Sequence, residues 1–331
     1  MRIVCSLVCL LWFSGICCDR KPDGASAGEV VVYTSVDEPV ARPILDEFTK
    51  KTGIKVIAKF DAEASKTAGL VQMLRAEKDN PRADVFWNNE IFHTINLAEE
   101  GVLAEYSSPA AADVPAHFKD PKNRWTASAT RIRVICFSPR AGEVGRVEDL
   151  ADPKHKGRAC MANPAFGTTS GHLASWFVLW GENEATEFLR KLKANDVKLL
   201  GGNSEVVKQI AAGTMSVGLT DNDDVDAAIR EGAKDLKWSA VGTRKDPGTL
   251  AIPCTVGLVK GAKNDAAAKK LIDYLLSREV EDKLIAGKFA KMSVRGDAAG
   301  AVPLLKIDYR EVAKMMPRAV EIARKILEGR E

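Results

Sequence analysis

Tyrosine and histidine are scarce, four of each in 331 residues, and aromatic residues make up only 6%. No His-Glu-x-x-His, Gly-x-Ser-x-Gly, P-loop or dinucleotide fingerprint occurs. The common zinc, serine-hydrolase and nucleotide chemistries therefore lack their residues. His93, His117, His155 and His172 show no ligand spacing, and only His172, just inside a helix after Thr168-Thr169, competes as a ligand contact with being a packed side chain. Charge of one sign is lacking too: the net charge is +3 and the basic residues are scattered. That excludes the basic stripe a nucleic-acid partner needs. The N-terminal apolar run, Ile3 to Phe13, is too short to span a bilayer. Of seven cysteines, Cys5, Cys9, Cys17 and Cys18 fall in this N-terminal segment. Cys136, Cys160 and Cys254 remain, an odd set without metal spacing. They read as small buried thiols, with a Cys136–Cys160 disulfide as the alternative.

What is present begins with Met1-Arg2, the apolar run and Ser14-Gly15-Ile16-Cys17-Cys18, the layout of an export signal over residues 1–18. Cys17 or Cys18 beside small residues adds a lipoprotein reading. Residues 19–28, rich in Gly, Ala, Ser and charge, read as a tether. The body alternates strands and helices. Val30-Val31-Val32 and Ile54 to Phe60 flank an amphipathic helix that starts near Pro39 and stops at Gly53, with Ser35 and Glu38 placed as a capping box. Further strands are expected at Ala83–Trp87, Thr126–Phe137, Arg158–Met161, Val197–Leu200, Met215–Leu219, Leu236–Val241 and Thr249–Val259. A C-terminal helix from Tyr309 to Leu327 carries Val312, Met316, Ala319, Ile322 and Ile326 at core spacing, with Pro317 expected to kink it. The fold class is α/β in two blocks, and the long strands at 126–137 and 248–259 each cross between them to form a hinge.

Strand-to-helix turns in this chain are unusually polar. Ligands of open α/β sheets bind outside the carboxyl ends of the strands, where these turns lie. The candidate ligand residues are Thr34, Ser35, Asp37, Glu63, Thr67, Asn88, Asn89, Glu90, Gly167, Thr168, Thr169, Asn203, Ser204, Asp221, Asp223 and Asp224. Each turn also reads as helix capping alone. Gly167-Thr168-Thr169 offers backbone N–H groups, hydroxyls and a helix N-terminus, which suit an anion. The carboxylates suit a cation or an amine, with Asp37, Glu63, Asp223 and Asp224 as the candidate metal set. A zwitterion satisfies both sets of groups, and so does a hard metal ion with a small anion. Asp221-Asn222-Asp223 opens like a calcium loop, but Val225 and Asp226 stand where that loop needs Asp or Asn and then Gly.

Taken in order, these segments resemble the extracellular solute-binding proteins of ABC importers, in the ferric-iron-type branch of the type II periplasmic binding fold. Val32 to Glu38 resembles the first strand and loop, Lys51 to Val56 the following element, and Ala83 to Glu90 the third strand. Asp149 to Gly157 resembles the entry to the second lobe; Asn163-Pro164, Gly167-Thr168-Thr169 and Gly202-Asn203-Ser204 resemble its ligand turns. The likeness covers residues 29–295. It implies a two-lobed binding-protein fold with a two-strand hinge. The N-terminal lobe would hold residues 29–128 plus 255–290, the C-terminal lobe residues 129–254 plus 291–331. It implies an exported, periplasmic monomer without catalysis or resident cofactor, which hands ferric iron, another hard cation or a zwitterionic or phosphorylated solute to a permease and its ATPase. Membrane contact would come through the permease or a lipid anchor only. The alternatives are a metal-dependent hydrolase built on Asp221 to Asp224 and a solute sensor for a membrane receptor. One departure stands out: ferric binders of this branch carry adjacent tyrosines where Asp223-Asp224 stands, and a His where Asp37 stands.

Overall fold

The computed structural model describes residues 28–61, 67–295 and 302–329. The segment read as an export signal, most of the segment read as a tether, and Glu63 lie outside the described residues.

The first β-α-β unit is β1 (Glu29–Thr34), α1 (Glu38–Thr52) and β2 (Lys55–Phe60). Its β-branched run makes parallel pairs, Val30 opposite Val56 and Val32 opposite Ala58. Helix α1 buries Ala41, Ile44, Leu45 and Phe48, and Gly53 closes it in the left-handed conformation at φ 73°. The expected capping box is absent: Asp37 holds the N-cap position, Glu38 pairs with Arg42 and the Ser35 hydroxyl turns to Asn88 and Asn89. Next come α2 (Ala68–Ala76), β3 (Val85–Asn88), α3 (Phe92–Glu99) and the short β4 (Leu103–Ala104).

The twelve-residue β5 (Thr126–Phe137) is buried along nearly all its length. Then follow β6 (Ala159–Ala162), α4 (Gly167–Trp180), α5 (Glu182–Ala194), β7 (Lys198–Leu200) and α6 (Asn203–Ala211). The chain continues through β8 (Val217–Asp221), α7 (Asn222–Arg230), β9 (Lys237–Ala240) and β10 (Ala251–Val259). It ends in α8 (Asp265–Leu275), α9 (Arg278–Ala286) and α10 (Tyr309–Glu328). Pro317 sits inside α10 without dividing it.

Among the described residues the strands run β2-β1-β3-β10-β5-β8-β6-β7, with β4 added to β10 and β9 to β5. The order contains two parallel α/β half-sheets, joined through antiparallel strands. β5 pairs with β10 over Thr126–Ile132 and then with β8 and β9 over Arg133–Phe137. One strand therefore belongs to both halves. β10 runs beside it, with a register shift between Cys254 and Thr255. This is the two-lobed α/β fold with crossing strands. Cys136, Cys160 and Cys254 are free and buried. One apolar core runs from Ile91, Phe92 and Ile95 of the first half through Val312 and Met316 of α10 to Leu173, Trp176 and Leu189 of the second.

Candidate functional site

The first wall of the cleft is built by the ends of β1 and β3. Thr34 and Ser35 are buried where β1 stops. The Ser35 hydroxyl lies 2.5 Å from Asn88 Oδ1 and 3.0 Å from Asn89 Oδ1, and it accepts from the Asn89 N–H at 2.9 Å. Thr67 donates to Asn89 Oδ1 at 3.3 Å. The Asn88 amide donates to the Glu90 carboxylate at 2.9 Å. Glu90 closes the N-terminus of α3, accepting from the N–H groups of Phe92 at 2.7 Å and His93 at 3.1 Å. Burial opposes ionisation of Glu90, but His93 and these donors outweigh it and hold its pKa below the usual range. Asp37 is half-buried at the start of α1. Tyr33, the one tyrosine beside a candidate turn, points away: its hydroxyl donates to Glu77 at 3.0 Å. Burial and that carboxylate push its pKa up to about 12.

The second wall holds two residues that no turn motif signalled. Arg131 and Arg133 of β5 are 2% and 0% exposed. They stand two apart on a strand, so both face one side of the sheet. Arg133 Nη1 donates to Asp221 Oδ1 at 2.6 Å and to Thr168 Oγ1 at 2.8 Å. Its Nη2 reaches Thr169 Oγ1 at 3.2 Å, and its Nε donates to His172 Nδ1 at 3.2 Å. Arg131 Nη1 lies 3.1 Å from both Asp221 Oδ2 and Asp223 Oδ2. Its Nη2 donates to the Asn89 carbonyl of the first wall at 2.6 Å. Asp221 also accepts from Thr168 Oγ1 at 2.8 Å and Asn203 Nδ2 at 2.9 Å.

The acidic stretch is not a turn that precedes a helix. Asp221 ends β8 and takes the N-cap position, and Asp223 and Asp224 are already in the first turn of α7. There the helix dipole favours their negative charge. Burial opposes ionisation of Asp221, but Arg133 and Arg131 hold its pKa below the usual carboxylate range. Burial and Arg133 together push His172 well below the usual imidazole value, so the ring is neutral and its Nδ1 accepts. Arg131 stays charged despite its burial because of Asp223 and Asp221. Arg131 Nε is buried and has no protein partner.

These groups enclose a cavity of about 30 Å³, lined by Asn89, Arg131, Gly167, Thr168, Asn203 and Asp224 among others. That is room for a water or two, or a single ion, and an organic solute needs the Asn89 and Gly167–Thr169 turns further apart than they stand here. A larger open groove of about 930 Å³ lies at the far end of β5, beside Phe137, Arg146, Lys237 and Arg244, and includes none of the candidate ligand turns. Gly167 stands at φ 59°, with open space where a Cβ would be. Ser204 is half-buried in the first turn of α6. Asp221, Asp223 and Asp224 can each bring one oxygen within 4.8 Å of the others. Among the described residues, the carboxylates that gather are these three. Cys254 is fully buried behind them, its thiol 3.8 Å from the Asn89 carbonyl, and burial pushes its pKa up to about 12. The arginines were legible in principle. A strand buried on both faces that carries Arg at i and i+2 requires buried anions, and the strand–helix junction at Asp221 supplies them.

Comparison with known proteins agrees with this architecture. The bacterial extracellular solute-binding protein family matches residues 29–286. The major ferric iron-binding protein of Neisseria meningitidis is 27% identical over 269 residues, 78% of each chain. A putative 2-aminoethylphosphonate-binding periplasmic protein of Salmonella typhimurium is 26% identical over 247 residues, 72% of this chain and 69% of that one. The structure of a ferric binding protein from Campylobacter jejuni superposes with a TM-score of 0.80 at 23% identity, covering 90% of this chain and 99% of that one. With its two half-sheets, crossing strands and polar cleft, the chain belongs to the bacterial extracellular solute-binding proteins, the binding components of ABC importers, and is a receptor rather than an enzyme.

Proposed function

We propose that this receptor carries a small solute that bears an anionic head and an amine, an aminophosphonate or a similar phosphorylated zwitterion, to an ABC permease and its ATPase. The observation behind this reading is the buried pair Arg131 and Arg133 among Asp221, Asp223 and Asp224. A trivalent cation needs a surplus of negative donors. Here two guanidinium groups oppose three carboxylates. At an effective dielectric of 20, unit charges 4 Å apart interact by about 4 kcal/mol, so each arginine offsets roughly one carboxylate. What remains is an acidic edge suited to an ammonium group. Beside it, in contact with Asp221, stand the Gly167–Thr169 helix start, Asn203 and Arg131, which suit a phosphoryl or phosphonate oxygen. No tyrosine stands in this wall: position 223 is Asp, and Tyr33 is turned to Glu77. Both solute classes are named among the relatives, ferric iron for the Neisseria protein and 2-aminoethylphosphonate for the Salmonella one. The carboxylates that approach within 4.8 Å keep a hard cation as the second reading, with Asp223 and Asp224 as its ligands.

Closure of residues 29–128 plus 255–290 upon 129–254 plus 291–331, in a periplasmic monomer, completes the proposal. The test is titration calorimetry with thermal shift on the mature chain. The probes are 2-aminoethylphosphonate, inorganic phosphate, putrescine and ferric citrate. The aminophosphonate is expected to bind one to one and raise the melting midpoint, since ligand at about 100 times Kd adds roughly 2.7 kcal/mol. Stoichiometric uptake of Fe(III) with no response to the phosphonate would overturn the reading in favour of a metal carrier.

A further inference from the structure

The cleft has an apolar contact beside it that neither the ligand turns nor the hinge strands explain. Phe92, the first residue of α3, is fully buried. Its ring rests on the backbone of α4 at Gly171: a Cβ built there would lie 2.1 Å from Phe92 Cδ2 and 2.2 Å from Cε2. On its other side the ring meets Tyr309 of α10, centroid to centroid at 6.0 Å. The same helix pair is tied by Asn96 Nδ2, which donates to the Ala313 carbonyl at 3.2 Å. Phe92 belongs to the first half of the molecule and Gly171 to the second.

Their positions in the chain give this contact its meaning. Phe92 follows Asn89 by three residues, and its N–H is fixed by Glu90. Gly171 follows Thr168 by three residues in the first turns of α4. Each member is therefore rigidly attached to one ligand turn. The distance between the Asn88–Glu90 turn and the Gly167–Thr169 turn is the width of the cleft, and packed side chains transmit displacements of a fraction of an ångström. We infer that Phe92 seated on Gly171 is the stop that sets how far the two lobes close, a pair of positioning residues for solute binding. With the ring seated, Arg131 reaches the Asn89 carbonyl at 2.6 Å. A methyl group at position 171 meets the ring before closure is complete and holds the turns apart. The inference rests on the two-lobed fold: the stop sets the narrowest cleft the empty receptor reaches, about 30 Å³, and a solute larger than an ion holds the turns further apart than that.

The experiment is small-angle X-ray scattering on the unliganded chain, with circular dichroism to verify folding. Gly171→Ala is expected to keep its helical signal and to show a larger radius of gyration than the parent. Adding Phe92→Leu, which shortens the side chain that meets the new methyl, is expected to restore the compact profile. If Gly171→Ala does not fold, Phe92→Ala carries the test from the other side: it removes the stop without a clash, so the lobes should close further and the radius of gyration should fall below the parent's. A folded Gly171→Ala, or in its place Phe92→Ala, that superimposes on the parent profile would overturn the inference. So would a Phe92→Leu/Gly171→Ala double variant that stays as expanded as Gly171→Ala.

Discussion

Arg131 and Arg133 change how every acidic residue of the cleft reads. Taken from the sequence, Asp221, Asp223 and Asp224 are donors awaiting a cation; in the fold, Asp221 accepts from both arginines, from Thr168 and from Asn203. The network is buried, so its members were placed by tertiary contact and not by local pattern. His172 belongs to it through Nδ1, which accepts from Arg133 Nε. A protonated ring cannot accept, and burial with Arg133 depresses its pKa far below the unfolded value of about 6.5. The unfolded chain takes up a proton below that value and the native chain does not. Stability from this group is therefore present above pH 6.5 and lost as pH falls, by at most about 1.4 kcal/mol per pH unit. Melting curves from pH 7.5 to 5.5 should show a smaller fall for His172→Asn than for the parent. Equal falls would mean that the ring is protonated in the native state.

At the scale of elements, the strands and helices were legible because β-branched runs and amphipathic spacing dictate them locally. The junctions were less so. The stretch read as an acidic turn ahead of a helix is that helix's start: α7 begins at Asn222, and negative charge on Asp223 and Asp224 favours the first turn through its dipole. Pro317 was expected to kink or restart the C-terminal helix, yet α10 runs from Tyr309 to Glu328. Its buried residues, from Val312 to Leu327, lie on both sides of the proline. Sheet order came from no local signal. β8 sits between β5 and β6, and Gly218 stands opposite Cys136 on one side and Cys160 on the other. A Cβ at Gly218 would lie 2.5 Å from Val206 Cγ1 and 2.9 Å from Cys160 Sγ. The glycine lets α6 pack directly on the central strand. Gly218→Ala is expected to cost about 1–3 kcal/mol by overpacking, read as a lower denaturation midpoint. Gly201→Ala, where the added atom meets open space, should stay within about 0.5 kcal/mol. Similar losses in both would refute the packing argument.

For the whole molecule, the sequence separates two α/β blocks, and the physical object joins them more closely than that division implies. The strand β5 is shared by both half-sheets. The apolar core passes from α3 through α10 to α4 and α5 without a break, because α10 lays Val312, Ala313, Met316 and Ala319 between them. A receptor that opens and closes needs motion between lobes, and here that motion must rotate about a packed seam. Two consequences follow for unfolding. Neither half keeps a complete core when α10 detaches, so separate melting of the lobes would expose apolar surface on both sides of the helix. Two-domain chains often unfold in steps; this one is expected to melt as a unit. Differential scanning calorimetry should give one transition whose van't Hoff and calorimetric enthalpies agree. Two resolved transitions, or a van't Hoff value near half the calorimetric one, would show that α10 serves only one lobe and that the seam does not couple them.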